Sequence, residues 1–365
     1  MKVLNLMGMN STKYGGIEKF NIEMLKQGVD MSLVYNSIPQ SDEYKRLIEL
    51  NKVSLYSCSC SNLASLLKII IKESPDIIHY HFSGAIYHLI CILLHVFFPR
   101  IKQIHTLHCE PFKSSGIRGI LAKLFYKSLD QIVAVSSGVC EGFKKLYGSN
   151  FSVEVSYLGV NSAPVKNEHL KAHLNIPDNT LVITSIGWDI HIKGYDLLLH
   201  ALSCLIKGGF NDNLVLIIVG LPEEEEKALK TLISQYKLEE RCLSVGIRED
   251  IDDFLNITDI YIQPSRSEAI SLSIMEALQH GIPIIGSNAG GIPEVCVDNY
   301  NGLIFEKENV EALYNQLKRL VMSAELRMQF GENSYELAKK YLRSQRAQSL
   351  KQIYERVLTD PNIKY

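Results

Sequence analysis

Short apolar runs recur along this chain between amphipathic segments, in two successive series, and that alternation is the sequence form of doubly wound parallel sheets. The first series comprises Val3–Met7, Ser32–Tyr35, Val53–Tyr56, Ile77–His81, Gln103–Leu107 and Ile132–Val135. The second comprises Leu181–Ile186, Leu214–Val219, Leu243–Val245, Ile260–Gln263, Pro283–Gly286 and Gly302–Phe305. Asn161-Ser-Ala-Pro164 breaks the pattern and polar residues follow it, so the boundary is expected between Val160 and Asn175. At 365 residues the chain exceeds what one hydrophobic core usually organises. The expected fold is α/β, with two Rossmann-like doubly wound domains, residues 1–165 and 166–343, facing a cleft that is the natural place for a ligand.

The remaining bulk features exclude other classes. The longest apolar stretch, Ile86–Phe98, holds His88 and His95 and is shorter than the roughly 20 residues of a membrane span, so it reads as a buried helix. Met1-Lys-Val-Leu-Asn-Leu-Met-Gly8 is too short an apolar run for a signal peptide and reads as a first strand. Eight scattered cysteines, with Cys58 and Cys60 lacking a second pair, read as reduced thiols of a cytoplasmic protein. Residues 1–160 carry 17 Lys plus Arg against 12 Asp plus Glu, a net of +5, while the remainder is −7. A mildly basic first half suits an anionic membrane surface or a diphosphate-bearing acceptor, although such an imbalance is more often only a solvated surface. Ile117–Leu129 places Ile117, Ile120, Leu121, Leu124 and Phe125 on one face beside Arg118, Lys123 and Lys127. Most such helices pack on their own sheet, and the alternative is a helix lying on a membrane. The acidic run Glu223–Glu226 reads as a solvated helix start.

Chemistry concentrates in Ser265-Arg-Ser-Glu268-Ala-Ile-Ser-Leu-Ser-Ile-Met-Glu276, where the strand ends at Pro264 and Ser271 or Ser273 can cap a helix. One carboxylate then sits in a loop and the other in a helix, on the order of 10 Å apart. That separation suits different parts of one elongated ligand and not a catalytic dyad. Downstream, Gly281-Ile-Pro-Ile-Ile-Gly-Ser-Asn-Ala-Gly-Gly-Ile-Pro-Glu294 runs a buried strand into a Gly-Gly turn whose amides suit phosphate. With these residues in place, nearly the whole chain resembles the family-four glycosyltransferases, retaining enzymes of GT-B architecture that take sugars from nucleotide-sugar donors.

The resemblance implies an acceptor-binding first domain, a nucleotide-sugar-binding second domain, and a last helix, residues 344–365, that crosses back to the first. It implies contact of Glu268 with donor sugar hydroxyls and of Glu276 with ribose hydroxyls, tasks that suit strongly accepting carboxylates. Ser271 and Leu272, at the same helix start, belong with the donor-binding group, as does Arg248. Gly187-Trp-Asp-Ile-His-Ile-Lys193-Gly194 matches a family loop whose lysine neutralises the diphosphate leaving group. Here Trp188 stands where an arginine usually accompanies that lysine, and an indole cannot replace the charge. His191, Arg248 or Arg266 are the candidates to supply it. Trp188 itself is expected to pack, with stacking on a sugar as the alternative.

In the first domain Gly15-Gly16-Ile-Glu18 opens a helix after the first strand, placing free amides for a diphosphate and Glu18 on the acceptor side. His81 ends Asp76-Ile-Ile-His-Tyr-His81, and the family has a functional histidine there, against the transferred sugar. His79, inside the strand, reads as a core residue, and His108 is a second acceptor-side candidate. Asp250-Ile-Asp252-Asp253 reads as an acidic helix start, and no metal is expected. The reading is a retaining transferase that uses a nucleotide-sugar as substrate and needs no resident cofactor. A UDP-sugar is favoured over a GDP-sugar by the family alone. The acceptor is a glycan or lipid-linked saccharide in bacterial surface polysaccharide assembly, at the inner face of the membrane, and nucleic acid is not a partner. The alternatives are a non-catalytic GT-B subunit, favoured by Trp188, and a GT-B nucleotide-sugar epimerase.

Overall fold

The computed structural model describes residues 1–11, 15–59, 62–81, 84–109, 115–161, 170–210 and 213–360; Cys60 and Ser162–Pro164, which entered the sequence reading, lie outside them. The chain forms two compact units, one of residues 1–159 with the segment starting at Arg343, the other Val160–Leu342.

The first unit is built on a seven-stranded parallel sheet: β1 (Lys2–Leu6), β2 (Asp30–Tyr35), β3 (Ser54–Ser57), β4 (Ile77–Tyr80), β5 (Lys102–Leu107), β6 (Gln131–Ala134) and β7 (Val153–Val155). Its order, β3-β2-β1-β4-β5-β6-β7, reverses direction between β1 and β4. The short edge strand β7 has no counterpart in the apolar pattern, because Glu154 occupies its centre and all three residues are only half-buried. The helix Arg343–Thr359 belongs to this unit, and its Ala347, Leu350, Ile353, Tyr354 and Val357 enter a core shared with Phe20, Ile22 and Met24 of the helix Gly16–Lys26.

The second unit carries a six-stranded parallel sheet: β8 (Leu181–Ile186), β9 (Leu214–Val219), β10 (Cys242–Ser244), β11 (Ile260–Gln263), β12 (Ile284–Ser287) and β13 (Gly302–Phe305), in the order β10-β9-β8-β11-β12-β13. β9 shows why a doubly covered strand reads as a continuous apolar run. Its Leu214, Leu216 and Ile218 join one core and its Val215, Ile217 and Val219 the opposite one, following the period of two.

Two helices depart from expectation. Ile86–Phe98 is expected to be buried, but the helix Ala85–Phe97 lies on the outside of the first sheet: among the described side chains Ile90, Cys91 and Leu94 are fully covered while Ile86, Leu89, Val96 and Phe97 are exposed. The helix Gly116–Ser128 divides the face expected to be continuous: Ala122, Phe125 and Tyr126 point inward, whereas Ile117, Ile120 and Leu124 point to solvent. Among the described residues no helix is long and apolar enough to cross a membrane.

Candidate active site

Each sheet brings its candidate residues to the carboxyl ends of the strands beside its own reversal point, where open α/β sheets bind ligands. In the first unit these are the segment after β1, His81 after β4 and His108 after β5. In the second they are Gly187–Gly194 after β8 and Pro264–Glu276 after β11.

In the first unit the helix Gly16–Lys26 starts beside β1, but its amide at Gly15 is not free. Glu18 reaches back, its Oε2 accepting from the Gly15 amide at 3.2 Å while its Oε1 accepts from Ser11 Oγ at 2.9 Å. This is the third-residue half of a capping box, the glycine having no side chain to reciprocate, and it leaves Glu18 4% exposed. The expectations of a free Gly15 amide and of an acceptor-facing Glu18 are corrected: each consumes the other. Gly16 is the first helical residue.

His81 is buried. Its Nε2 lies 3.2 Å from Asn5 Oδ1 and its Nδ1 3.1 Å from His108 Nε2. Since Asn5 Nδ2 points to Met31 Sδ, Asn5 presents its acceptor, so this network assigns the proton to His81 Nε2 and has Nδ1 accept from His108 Nε2–H. Burial first, and then the neighbouring histidines, hold His81 well below the ordinary histidine range; burial alone brings His108 down to about 4. His79 is fully buried between Tyr354 Oη at 2.6 Å and Thr106 Oγ1 at 2.7 Å and works as a core residue. A cavity of only about 20 Å³, room for roughly one water, borders His81 and His108.

In the second unit, Asp189 Oδ1 accepts from the Ile192 amide at 2.6 Å and starts a one-turn helix, Ile190–Lys193, that Gly194 ends in the left-handed conformation. A side chain at Gly194 would lie 2.1 Å from the Pro264 carbonyl, so glycine is what lets this loop press on the end of β11. The Lys193 stem crosses Gly187, where a Cβ would sit 2.5 Å from Lys193 Cγ. Lys193 Nζ then reaches Glu268 Oε2 at 2.6 Å, both side chains nearly buried at 11% and 14% exposure. Glu268 is itself positioned by the Gly-Gly turn: its carbonyl accepts from the Gly291 amide at 3.2 Å, and a Cβ on Gly290 would fall 1.6 Å from that oxygen. The expectation that this turn offers amides to phosphate is corrected, since Gly291 spends its amide on Glu268 and the helix that follows, Ile292–Val295, is a single turn.

Two of the candidates for the missing arginine are paired with carboxylates, and the ring of the third, His191, is exposed. Arg266 grips Asp196 through two nitrogens at 2.8 and 2.7 Å and the His191 carbonyl at 2.7 Å, tying the lysine loop to the β11 loop. Arg248 is paired in the same two-pronged way with Asp250, at 2.8 and 2.6 Å, on the loop after β10, its guanidinium over the Phe254 ring. His191 lends its carbonyl to Arg266. Trp188, expected to pack, is 57% exposed, because the loop it sits on turns away from the sheet. Of the acidic run expected to be only solvated, Glu225 accepts from the Ile190 amide at 3.0 Å, bracing the same loop, and Glu226 accepts from Ser244 Oγ at the end of β10 at 2.8 Å. Ser271 caps the helix Leu272–Gln279 through the Ile274 amide at 3.2 Å, with Leu272 opening that helix and the half-buried Glu276 in its second turn.

Two family models cover the chain between them: "Glycosyltransferase Family 4" over residues 15–163 and "Glycosyl transferases group 1" over residues 166–337. The chain belongs to the family-four glycosyltransferases. It is similar, at 28% identity over 71% of its length and 70% of the relative's, to the Escherichia coli UDP-Gal:alpha-D-GlcNAc-diphosphoundecaprenol alpha-1,3-galactosyltransferase. Similarity to the Bacillus anthracis N-acetyl-alpha-D-glucosaminyl L-malate synthase is 25%, over 87% of this chain and 85% of that one. Among solved structures, Anabaena HepE in complex with UDP-glucose superposes with a TM-score of 0.80 at 19% identity, covering 97% of this glycosyltransferase and 99% of HepE, which establishes the shared GT-B fold.

Two contributors to this glycosyltransferase site carry no signal in the sequence, Asn5, which orients His81, and Asp196, which holds Arg266, while Gly290, in the turn expected to serve phosphate, instead makes room for Glu268. Asp196 and Arg266 are 70 residues apart, and no spacing signals such a pair.

Proposed function

We propose that this glycosyltransferase moves a sugar with retention of anomeric configuration from a nucleotide-sugar, in first place a UDP-sugar, to a glycan or lipid-linked saccharide during bacterial surface polysaccharide assembly. The observation that carries the reading is the Lys193–Glu268 pair, 2.6 Å apart and nearly buried at the reversal point of the second sheet. In the donor complex Lys193 would turn toward the diphosphate and stabilise charge growing on the leaving group, releasing Glu268 to accept from sugar hydroxyls. Glu276 would accept from the ribose hydroxyls, and the helix start at Ser271–Leu272 would face phosphate. A side-chain cation and a helix start neutralise the diphosphate in this scheme, with no metal or resident cofactor. His81, neutral and with both ring nitrogens engaged, would lie against the transferred sugar as a fixed surface and not as a base, with His108 on the acceptor side. The Escherichia coli relative supports a donor of this class, since it is named for a UDP-sugar donor and a diphosphoundecaprenol-linked acceptor.

The test is turnover of UDP-, GDP- and ADP-sugars by the purified protein, with the product anomer read by NMR. Transfer from a UDP-sugar with retention, lost in Lys193→Ala, is the expected result. An inverted product, or release of an epimerised nucleotide-sugar without transfer, would overturn it.

A further inference from the structure

The first unit carries a surface that its fold does not use. The helices Ala85–Phe97 and Gly116–Ser128 pack side by side on the sheet, and each turns an apolar stripe outward. Ile86, Leu89 and Val96 on one are 63%, 47% and 66% exposed, and Ile117, Ile120 and Leu124 on the other 77%, 62% and 50%. The spacings of three, four and seven residues make each stripe a continuous face. Scattered exposed apolar side chains are ordinary, but two adjoining stripes are not. The charge carried by the two helices themselves is of one sign, while the carboxylates that line a cavity with Lys123 and Lys127 include Asp130 and Glu154, which are ion-paired to Lys102 and Arg356, and Asp360. Residues 77–129 contain six Lys or Arg and a single acid, Glu110. Arg100, Arg118, Lys123 and Lys127 are all exposed, and no ion pair of the described residues involves them.

We infer that this two-helix face rests on an anionic lipid surface, with the stripes entering the headgroup boundary and the four cations meeting lipid phosphates. Charge complementarity selects this occupant. A second copy docked through the same face would set cations against cations across a two-fold axis. At 13 residues each, the helices are too short to span, and a stripe flanked by cations suits lying in the interface plane. The inference deepens the lipid-linked acceptor reading proposed above, yet membrane binding is read without donor or acceptor, so either can fail alone.

The test is co-sedimentation of the full chain with vesicles of phosphatidylcholine, alone or with one phosphatidylglycerol in every three lipids. The expected result is pelleting with the anionic vesicles only, weakened by salt. Arg118→Gln/Lys123→Gln/Lys127→Gln should lower partition roughly hundredfold, about fivefold per cation. Ile117→Glu/Ile120→Glu/Leu124→Glu and Ile86→Glu/Leu89→Glu should each abolish it at unchanged melting temperature, because these side chains lie outside the core. Met322→Glu/Met328→Glu, exposed apolar residues of the second unit, should change nothing. Absence of pelleting, or equal pelleting with neutral vesicles, would overturn the inference. So would a concentration-dependent dimer in sedimentation velocity that the same stripe variants dissolve, which would assign the face to a second copy.

Discussion

The carboxyl ends of the two sheets are built from opposite electrostatic materials. In the first unit five histidines, His79, His81, His88, His105 and His108, lie where burial disfavours every imidazolium, and neighbouring histidines push three of them, His79, His81 and His105, further toward neutrality. In the second, the loops are closed by full charges in pairs, Lys193 with Glu268 and Arg266 with Asp196. A neutral, hydrogen-bonded end can present shape and hydrogen bonds to an uncharged sugar. An end whose cation is held by a carboxylate can hand that cation to a diphosphate. On the proposed function, one architecture used twice would divide the transfer between a surface that positions and a surface that stabilises charge.

Acid should separate the two most strongly. Burial holds His105 at about 3 and His88 and His108 at about 4, whereas the unfolded chain binds those protons near the ordinary 6.5. Folded-state values below unfolded ones mean that this stability is complete above about pH 6.5 and drains away as pH falls toward about 4, on the order of 3 kcal/mol for each such histidine. Asp196 is also lowered, although burial alone would raise it, because Arg266 outweighs that effect; its contribution is lost only below the ordinary carboxylate range. Limited proteolysis at about pH 5, mapped by mass spectrometry, should therefore cut the first unit while the second resists. Simultaneous cutting would erase the contrast.

The next effect is on turnover. Lys193→Ala should lower kcat/KM by about 10²–10³, some 3–4 kcal/mol of leaving-group stabilisation, with Lys193→Arg recovering part of it. Gly290→Ala should cost the second unit about 3 kcal/mol, measured as a loss in urea midpoint, since its Cβ would strike the Glu268 carbonyl from a backbone at φ +49°. The smallest expected effect is Tyr354→Phe, which removes the hydroxyl 2.6 Å from His79 Nδ1 and should cost the first unit about 1–2 kcal/mol without changing turnover of a soluble acceptor.

These partners show what the sequence carried and what it did not. Strands came through because a doubly covered strand must be apolar at every position, and Leu181–Ile186, Leu214–Val219, Ile260–Gln263 and Gly302–Phe305 are bounded as the pattern implied. The Ser271 cap and the helical Glu276 were likewise legible from local chemistry. Burial of helices was not, because Ile86–Phe98 is apolar on the face that meets the sheet and on the face that does not. Nor were pairings closed by the fold: His79 finds Tyr354 across 275 residues, and Gly15 gives its expected free amide to Glu18, whose other carboxylate oxygen accepts from Ser11. Trp188 reads as a packing residue by type, yet its loop turns outward, a choice made by Asp189, Glu225 and Gly194 together.

The central claim, that the paired charges after β8 and β11 form the donor site, is tested most directly by hydrogen–deuterium exchange of the full chain with and without saturating UDP. The account predicts slowed exchange over 187–194 and 268–276, absent in Lys193→Ala. Protection confined to the first unit, at the start of the helix Gly16–Lys26 and around His81, with the second unit unchanged, would contradict it.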